Sequence, residues 1–534
     1  MSLLMFQRGD RPGWRSLIEM APDPAHVEVV RRHIPVLDRI APKDALAVIS
    51  PRVPVHLRSL LGLAFALLLA GCATRPVNPP ITQTDTRAGY RFEARQPVIA
   101  GKNNDTLVIL AFSGGGTRAA SFSYGVLEFL RNTEISDGKG RTTRLLDHVN
   151  LITGVSGGSF TALAYGLYGE KLFDDYETRF LKRDVQGEIL ARTINPFNWP
   201  KLGSTGYGRS ELASQLYDEI LFGGATFGDL ARAQGPMILA TATDLSTGAR
   251  FVFSQGYFDV ICSDLGAVRL SRAAAASSAV PVVLSPITLN NYGGSCNMGL
   301  PEWTRPFLDS PEPPRPAARA VRTLKATAAY GDGVNRPYLH LVDGGVADNL
   351  GMRGVLDGLE IMQALSLSGR ASRLDGVQRI VVFMVNSMSS PRTNWDESEQ
   401  PPGSVPTMLK AAGTPIDATS YENVEQLKDM AAEWRKLRLI GKSAAMASNS
   451  DPAVAEALRV PDAEIYAIDV SFAALTDKAE FEYLKEQPTS FVLPAEAVDR
   501  LRAAAGKIIL ASPEFQRLLK DIGAEVVDDA PTTH

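Results

Sequence analysis

The five residues Gly154-Val155-Ser156-Gly157-Gly158 set one serine among glycines, directly after an apolar run holding Val149, Leu151 and Ile152. In a Gly-x-Ser-x-Gly bend between a strand and a helix, glycines on both sides let the backbone take the turn and the serine oxygen rises above the sheet. Ser156 is therefore the candidate nucleophile. A serine that attacks an ester turns the carbonyl oxygen into an oxyanion, which backbone donors must meet. Such donors are expected in Ser113-Gly114-Gly115-Gly116-Thr117-Arg118, between the apolar strand Leu107–Phe112 and a helix predicted over Ala119–Leu130. Three glycines there let consecutive N–H groups converge on one point, and the positive end of the helix dipole adds to them. Gly114, Gly116 and Ala119 also fit a loose Gly-x-Gly-x-x-Ala dinucleotide fingerprint, but no acidic residue ends a clear second strand about 20 residues on. The next strand delivers Ser156 instead. Finally, Asp343-Gly344-Gly345 follows the apolar segment Tyr338–Val342, so the carboxylate of Asp343 sits at a strand end and projects from the sheet rim. Taken alone, that Asp-Gly pair would be read as an ordinary turn.

Order, spacing and strand context of these elements resemble the patatin-like phospholipases, a family of acyl hydrolases with a Ser-Asp dyad. The matching residues are Gly114-Gly115-Gly116-Thr117-Arg118, Gly154-Val155-Ser156-Gly157-Gly158 and Asp343-Gly344-Gly345, with a softer match at Ala276-Ser277-Ser278-Ala279-Val280-Pro281. The resemblance covers residues 105–385. It implies a three-layer α/β/α fold with a mainly parallel central sheet, and a phospholipid or other lipid ester as substrate. Asp343 would accept the proton of Ser156, the amides of Gly114, Gly115 and Gly116 would hold the oxyanion, and neither cofactor nor metal is called for. Arg118 matches the basic residue the family carries after its glycines; it either faces a phosphate head group or pairs within the protein to fix the loop.

The histidines support a dyad independently. Of six, His26, His33 and His56 precede the mature chain argued for below, leaving His148, His340 and His534. At a rise of about 3.3 Å per residue, His148 lies some 26 Å from Ser156, at the wrong sheet edge. By the same rise His340 is about 10 Å back from Asp343 and on the opposite face of its strand. His534 is the last residue, and none of the three is well placed to complete a triad.

With 45% hydrophobic and 21% charged residues, the 534-residue chain has ordinary globular composition. Its net charge of −4 gives no nucleic-acid footprint. Leu60–Ala70 is almost wholly apolar, follows Arg52, His56 and Arg58, and leads into Leu69-Ala70-Gly71-Cys72. A bilayer span needs about 20 residues, so this run reads as the core of a signal peptide. Its ending resembles the bacterial lipobox, in which the cysteine is acylated and becomes the mature N-terminus. That resemblance implies a lipid anchor on Cys72, and Ala73 in place of an aspartate points to the outer membrane, facing the periplasm. Residues 1–71 are then a leader, with initiation expected nearer Val53. The remainder is more acidic than the whole, so acyl chains must supply its membrane affinity. Acylation of Cys72 leaves Cys262 and Cys296 in an oxidising compartment, either bridged or as two free thiols.

The elements that must position these groups follow in order. Residues 72–104 read as a tether and 105–395 as the hydrolase domain, its strand–helix–strand–helix opening calling for a parallel sheet. Within it, residues 170–235 form a helical insertion broken by Asn195-Pro196-Phe197-Asn198-Trp199-Pro200, whose aromatics are expected to pack a loop. Residues 396–534 read as a helical C-terminal extension around one strand, Glu464–Val470, with no catalytic constellation. Lys442-Ser443 lacks the leading glycine of a phosphate loop. A serine acyl hydrolase of membrane phospholipids is the function expected. A lysophospholipase or general esterase, and a non-catalytic lipid-binding envelope lipoprotein, are the alternatives.

Overall fold

A computed structural model describes residues 75–92, 94–95, 105–136, 142–298, 304–309, 317–368, 370, 376–443, 446 and 451–527. Cys72, residues 1–71, which were expected to be a leader, and His534 lie outside the described residues.

Among the described residues eleven strands form two sheets. The first is β1 (Thr106–Phe112), and the next two, β2 (Glu134–Ser136) and β3 (Thr142–Arg144), pair in a small peripheral sheet with β11 (Glu525–Val526). The central sheet takes β1, β4 (Val149–Val155), β5 (Met237–Asp244), β6 (Arg250–Val252), β7 (Ile287–Asn290), β8 (Tyr338–Asp343), β9 (Arg379–Asn386) and β10 (Glu464–Ser471). Its order is β10-β9-β1-β4-β5-β8-β7, with β6 paired to β5. The first five run parallel, and β8, β7 and β6 pair antiparallel. Period-two alternation explains the layers. Val108, Leu110 and Phe112 of β1 enter one core, and Leu107, Ile109 and Ala111 enter the other. Strand β9 divides likewise, with Val381, Phe383 and Val385 facing one side and Ile380, Val382 and Met384 the other.

Helices cover both faces. α1 (Gly116–Asn132) leaves β1 and α2 (Gly157–Tyr168) leaves β4, each starting at a glycine-rich turn. Residues 170–235 include the helices α3 (Val185–Ile194) and α4 (Arg209–Tyr217). α5 (Leu270–Ser277) then packs under the sheet end, while α6 (Arg353–Leu367) and α7 (Ser404–Gly441) close the second core through Leu356, Leu359, Leu427 and Trp434. α8 (Ala495–Ala511) lies against α1. The region beyond residue 396 therefore supplies, besides helices, the edge strand of the central sheet. Among the described residues no helix is long and apolar enough to cross a membrane.

The segment expected to be a tether is bonded to the body from Arg75 onward. Asn78 bonds Ser263 and Asn290, and the Ile81 amide donates to the Cys262 carbonyl at 2.9 Å. Cys262 is bridged to Cys296, so a covalent link holds the ground on which this segment lies.

Candidate active site

Both turns that leave the parallel strands open at the same sheet edge, because β1 and β4 are neighbours with Phe112 opposite Gly154. Ser156 follows β4 at φ 47 and ψ −120, a conformation that L residues rarely adopt. The turn is held there by its neighbours. The Ser156 amide donates to Ser277 Oγ at 2.8 Å, and the Ser156 carbonyl accepts from Ser159 Oγ at 2.6 Å and from the Ser159 amide at 3.0 Å. Gly157 is required by close approach, since a Cβ there would collide with the Gly116 carbonyl.

Strand register brings the carboxylate across. Val155 stands opposite Thr241 on β5, and Ala242, the next residue of β5, stands opposite Asp343 on β8. Ser156 Oγ donates to Asp343 Oδ2 at 2.8 Å, and Oδ1 accepts from the Gly345 amide at 2.7 Å. The two residues are 4% and 8% exposed. Burial raises the Asp343 carboxyl to about 6, against the opposing pull of the Gly345 N–H and the Ser156 hydroxyl. Its backbone is tied to the softer sequence motif: the Asp343 amide donates to the Ala279 carbonyl and that of Gly344 to the Ser277 carbonyl. Ala276–Pro281 is thus the bridge that fixes nucleophile and carboxylate relative to each other.

His340 points elsewhere, sharing a hydrogen bond of 3.0 Å with Thr288 on the neighbouring β7. His148 is bonded to Thr143 on β3. Among the described residues, no group of three or more His, Cys, Asp or Glu could hold a metal ion.

The glycine loop needs one correction. The sequence pattern has Gly114 offering its amide to an oxyanion, but that N–H donates to the Asn349 carbonyl at 2.8 Å. The amides of Gly115 and Gly116 have no such acceptor among the described residues, and both glycines have positive φ, 138° and 60°. These two are the candidate donor pair at the start of α1, since the next amide, that of Thr117, is taken by the Ser490 carbonyl.

Arg118 is bonded within the protein. It is buried and donates to the Ser387 carbonyl at 2.6 Å, the Gln487 carbonyl at 2.8 Å and Thr489 Oγ1 at 3.2 Å. Burial lowers its pKa to about 10, with Asp417 as the opposing charge. The Thr117 amide donates to the Ser490 carbonyl at 2.8 Å, so residues 487–490 clasp the loop from the far end of the chain. Sequence reasoning missed Ser490, Ser387 and Asn349, and no motif marks them.

The family described as patatin-like phospholipase matches residues 110–356, a span that holds the glycine loop, Ser156 and Asp343. Among solved structures, human GIVD cytosolic phospholipase A2 is similar with 13% identity and a TM-score of 0.36, over 85% of this chain and 66% of that one. The same human enzyme in complex with methyl gamma-linolenyl fluorophosphonate gives 14% identity and a TM-score of 0.32, over 80% and 61%. This chain thus spans just under two thirds of those proteins. No curated protein matches the sequence. Residues 110–356, just under half of the chain, are thus similar to the patatin-like phospholipase family.

Proposed function

We propose that the protein hydrolyses carboxylic ester bonds of membrane phospholipids with Ser156 as nucleophile and Asp343 as base. The observation that carries this reading is the 2.8 Å hydrogen bond from Ser156 Oγ to Asp343 Oδ2, made by a serine held at positive φ. Asp343 Oδ2 takes the hydroxyl proton as Oγ attacks the acyl carbonyl. The oxyanion is met by the Gly115 and Gly116 amides. Collapse expels the alcohol, which takes the proton back from Asp343, and a water deprotonated by the same carboxylate then releases the fatty acid. A base near pKa 6 is largely ionised at neutral pH and still strong enough to accept a proton.

A fluorophosphonate probe tests the reading, since only an activated serine becomes phosphonylated. One equivalent should be bound, with the adduct on the peptide containing Ser156. No labelling would favour a lipid-binding protein without hydrolase activity, and labelling unchanged in Ser156→Ala would move the nucleophile to another serine. Product analysis on diacyl and monoacyl substrates then separates a phospholipase from a lysophospholipase.

The same reading places the chain in a bacterial envelope, anchored by acylated Cys72 and held at the outer membrane. It is supported by the Leu60–Ala70 run before Leu69-Ala70-Gly71-Cys72 and by the Cys262–Cys296 bridge, which suits an oxidising compartment. Intact mass of membrane-extracted protein is expected to show a chain beginning at Cys72 with added acyl mass. A soluble chain beginning at Met1 would contradict it.

A further inference from the structure

The aromatics of the insertion do not pack the loop they were expected to pack. Phe197 is 88% exposed and Trp199 60% exposed. Upstream, Leu190 and Ile194 are also exposed, and their i, i+4 spacing puts them on one face of α3. Downstream, the chain passes through a turn at Gly206 to Arg209, whose Nη2 donates to the Val282 carbonyl at 2.9 Å. Val282 and Val283 are 50% and 54% exposed, and Val282 holds a φ of 74, which a β-branched residue adopts only under strain. Three residues before Val282, the Ala279 carbonyl accepts from Asp343. The apolar ground therefore runs from the insertion to the rim of the catalytic edge.

The place of Arg75, three positions after Cys72, bears on what covers it. Arg75 lies against Gly206, where a Cβ would come within 2.6 Å of its Cδ, and it also bonds the Thr288 carbonyl and faces the Tyr338 ring. Tyr338 belongs to the stretch of β8 that extends beyond Asp343 past the end of β5. The polypeptide thus meets the body beside this ground, and only Ala73 and Thr74 lie between Cys72 and Arg75, a reach of about 11 Å over three Cα steps. The apolar run Leu60–Ala70 stands just before it in sequence.

We infer that the face formed by Leu190, Ile194, Phe197, Trp199, Val282 and Val283 docks on a lipid bilayer, so that the edge holding Ser156 addresses the surface to which the N-terminus is attached. This rests on the proposed lipid substrate. Trp suits the boundary between head groups and acyl chains, where its ring is half buried and its N–H stays wet, and Phe adds apolar area beside it. The exposed valine pair Val282 and Val283 at the rim adds apolar area without a long element to move.

The experiment uses the full chain with Cys72→Ser, which removes the acyl anchor, and Ser156→Ala, which leaves vesicles intact. An environment-sensitive dye is attached at Phe197→Cys, and in a second protein at Leu439→Cys, an exposed position near the start of β10 at the opposite sheet edge. With phosphatidylcholine vesicles, emission at position 197 should shift to the blue and become protected from an aqueous quencher, while emission at 439 stays unchanged. The inference is overturned if position 197 stays wet in the presence of vesicles, whether or not the protein pellets with them. It is equally overturned if position 197 is already dry in solution, which would mean that the leader or a second copy covers the face. Failure of the catalytic reading is detected separately, by the absence of fluorophosphonate labelling in the wild-type chain.

Discussion

Asp343→Asn is expected to lower kcat by on the order of 10³–10⁴, because an amide cannot accept the serine proton. Ser156→Ala should fall at least as far. His340→Ala should stay within about tenfold of wild type, about 1.4 kcal/mol of barrier, since His340 bonds Thr288 and not the site. The active fraction of each variant that keeps Ser156 is counted with the fluorophosphonate before rates are compared. A correctly folded His340→Ala that fell as far as Asp343→Asn would refute the dyad and favour a triad.

The same substitution should stabilise the fold. The Asp343 carboxyl titrates at about 6 in the folded protein, against about 3.9 in an unfolded chain. The folded state therefore holds the proton more tightly, and stability falls as pH rises through the window between these values. Above pH 6 the ionised, desolvated carboxylate costs about 3 kcal/mol. The side-chain amide of the Asp343→Asn variant would carry no such charge and could still accept from Gly345. Asp343→Asn should then melt above wild type at pH 8, with the gain shrinking toward pH 4. An unchanged melting difference across that range would show that burial does not set this pKa. A destabilising carboxylate kept at the centre of the fold is what a base requires, and a purely structural aspartate would have no reason to hold it.

The parts legible in the sequence are those whose chemistry is carried by side chains in local patterns. Leu107–Phe112 reads as a strand because both faces are buried, which leaves no polar residue in the run. Ser156 and Asp343 were legible because glycines mark the turns that expose them. Their meeting was not, since it depends on β8 pairing antiparallel to β5 at a register no local pattern encodes. The clasp was illegible for a deeper reason. Ser490 and Gln487 act through backbone carbonyls, which every residue has, and Gln487 reaches Arg118 across 369 residues of chain. Phe197 and Trp199 beside prolines look alike in sequence whether a loop buries them or presents them; only the exposure decides.

The clasp has its own large effect. Gly116→Ala is expected to lower kcat by about 10²–10³, the range lost when one oxyanion donor is displaced. Gly116 sits at φ 60, where an L side chain costs roughly 1 kcal/mol, and its Cβ would collide with the Ser490 carbonyl. That carbonyl is not free to retreat. It accepts from the Thr117 amide, and its neighbours Gln487 and Thr489 are held by the buried Arg118. The glycine loop must move instead, carrying the Gly115 and Gly116 amides away from the oxyanion. Gly114→Ala meets a different obstacle, the side-chain oxygen of Asn349, and its amide is already taken by the Asn349 carbonyl. Asn349→Ala should therefore recover part of the activity lost in Gly114→Ala, because truncation removes the obstacle. No truncation at residue 490 can do the same for Gly116→Ala, because the obstacle there is backbone. If Gly116→Ala kept its kcat while Gly114→Ala lost it, the oxyanion donors would have to be reassigned to the Gly114 end of the loop.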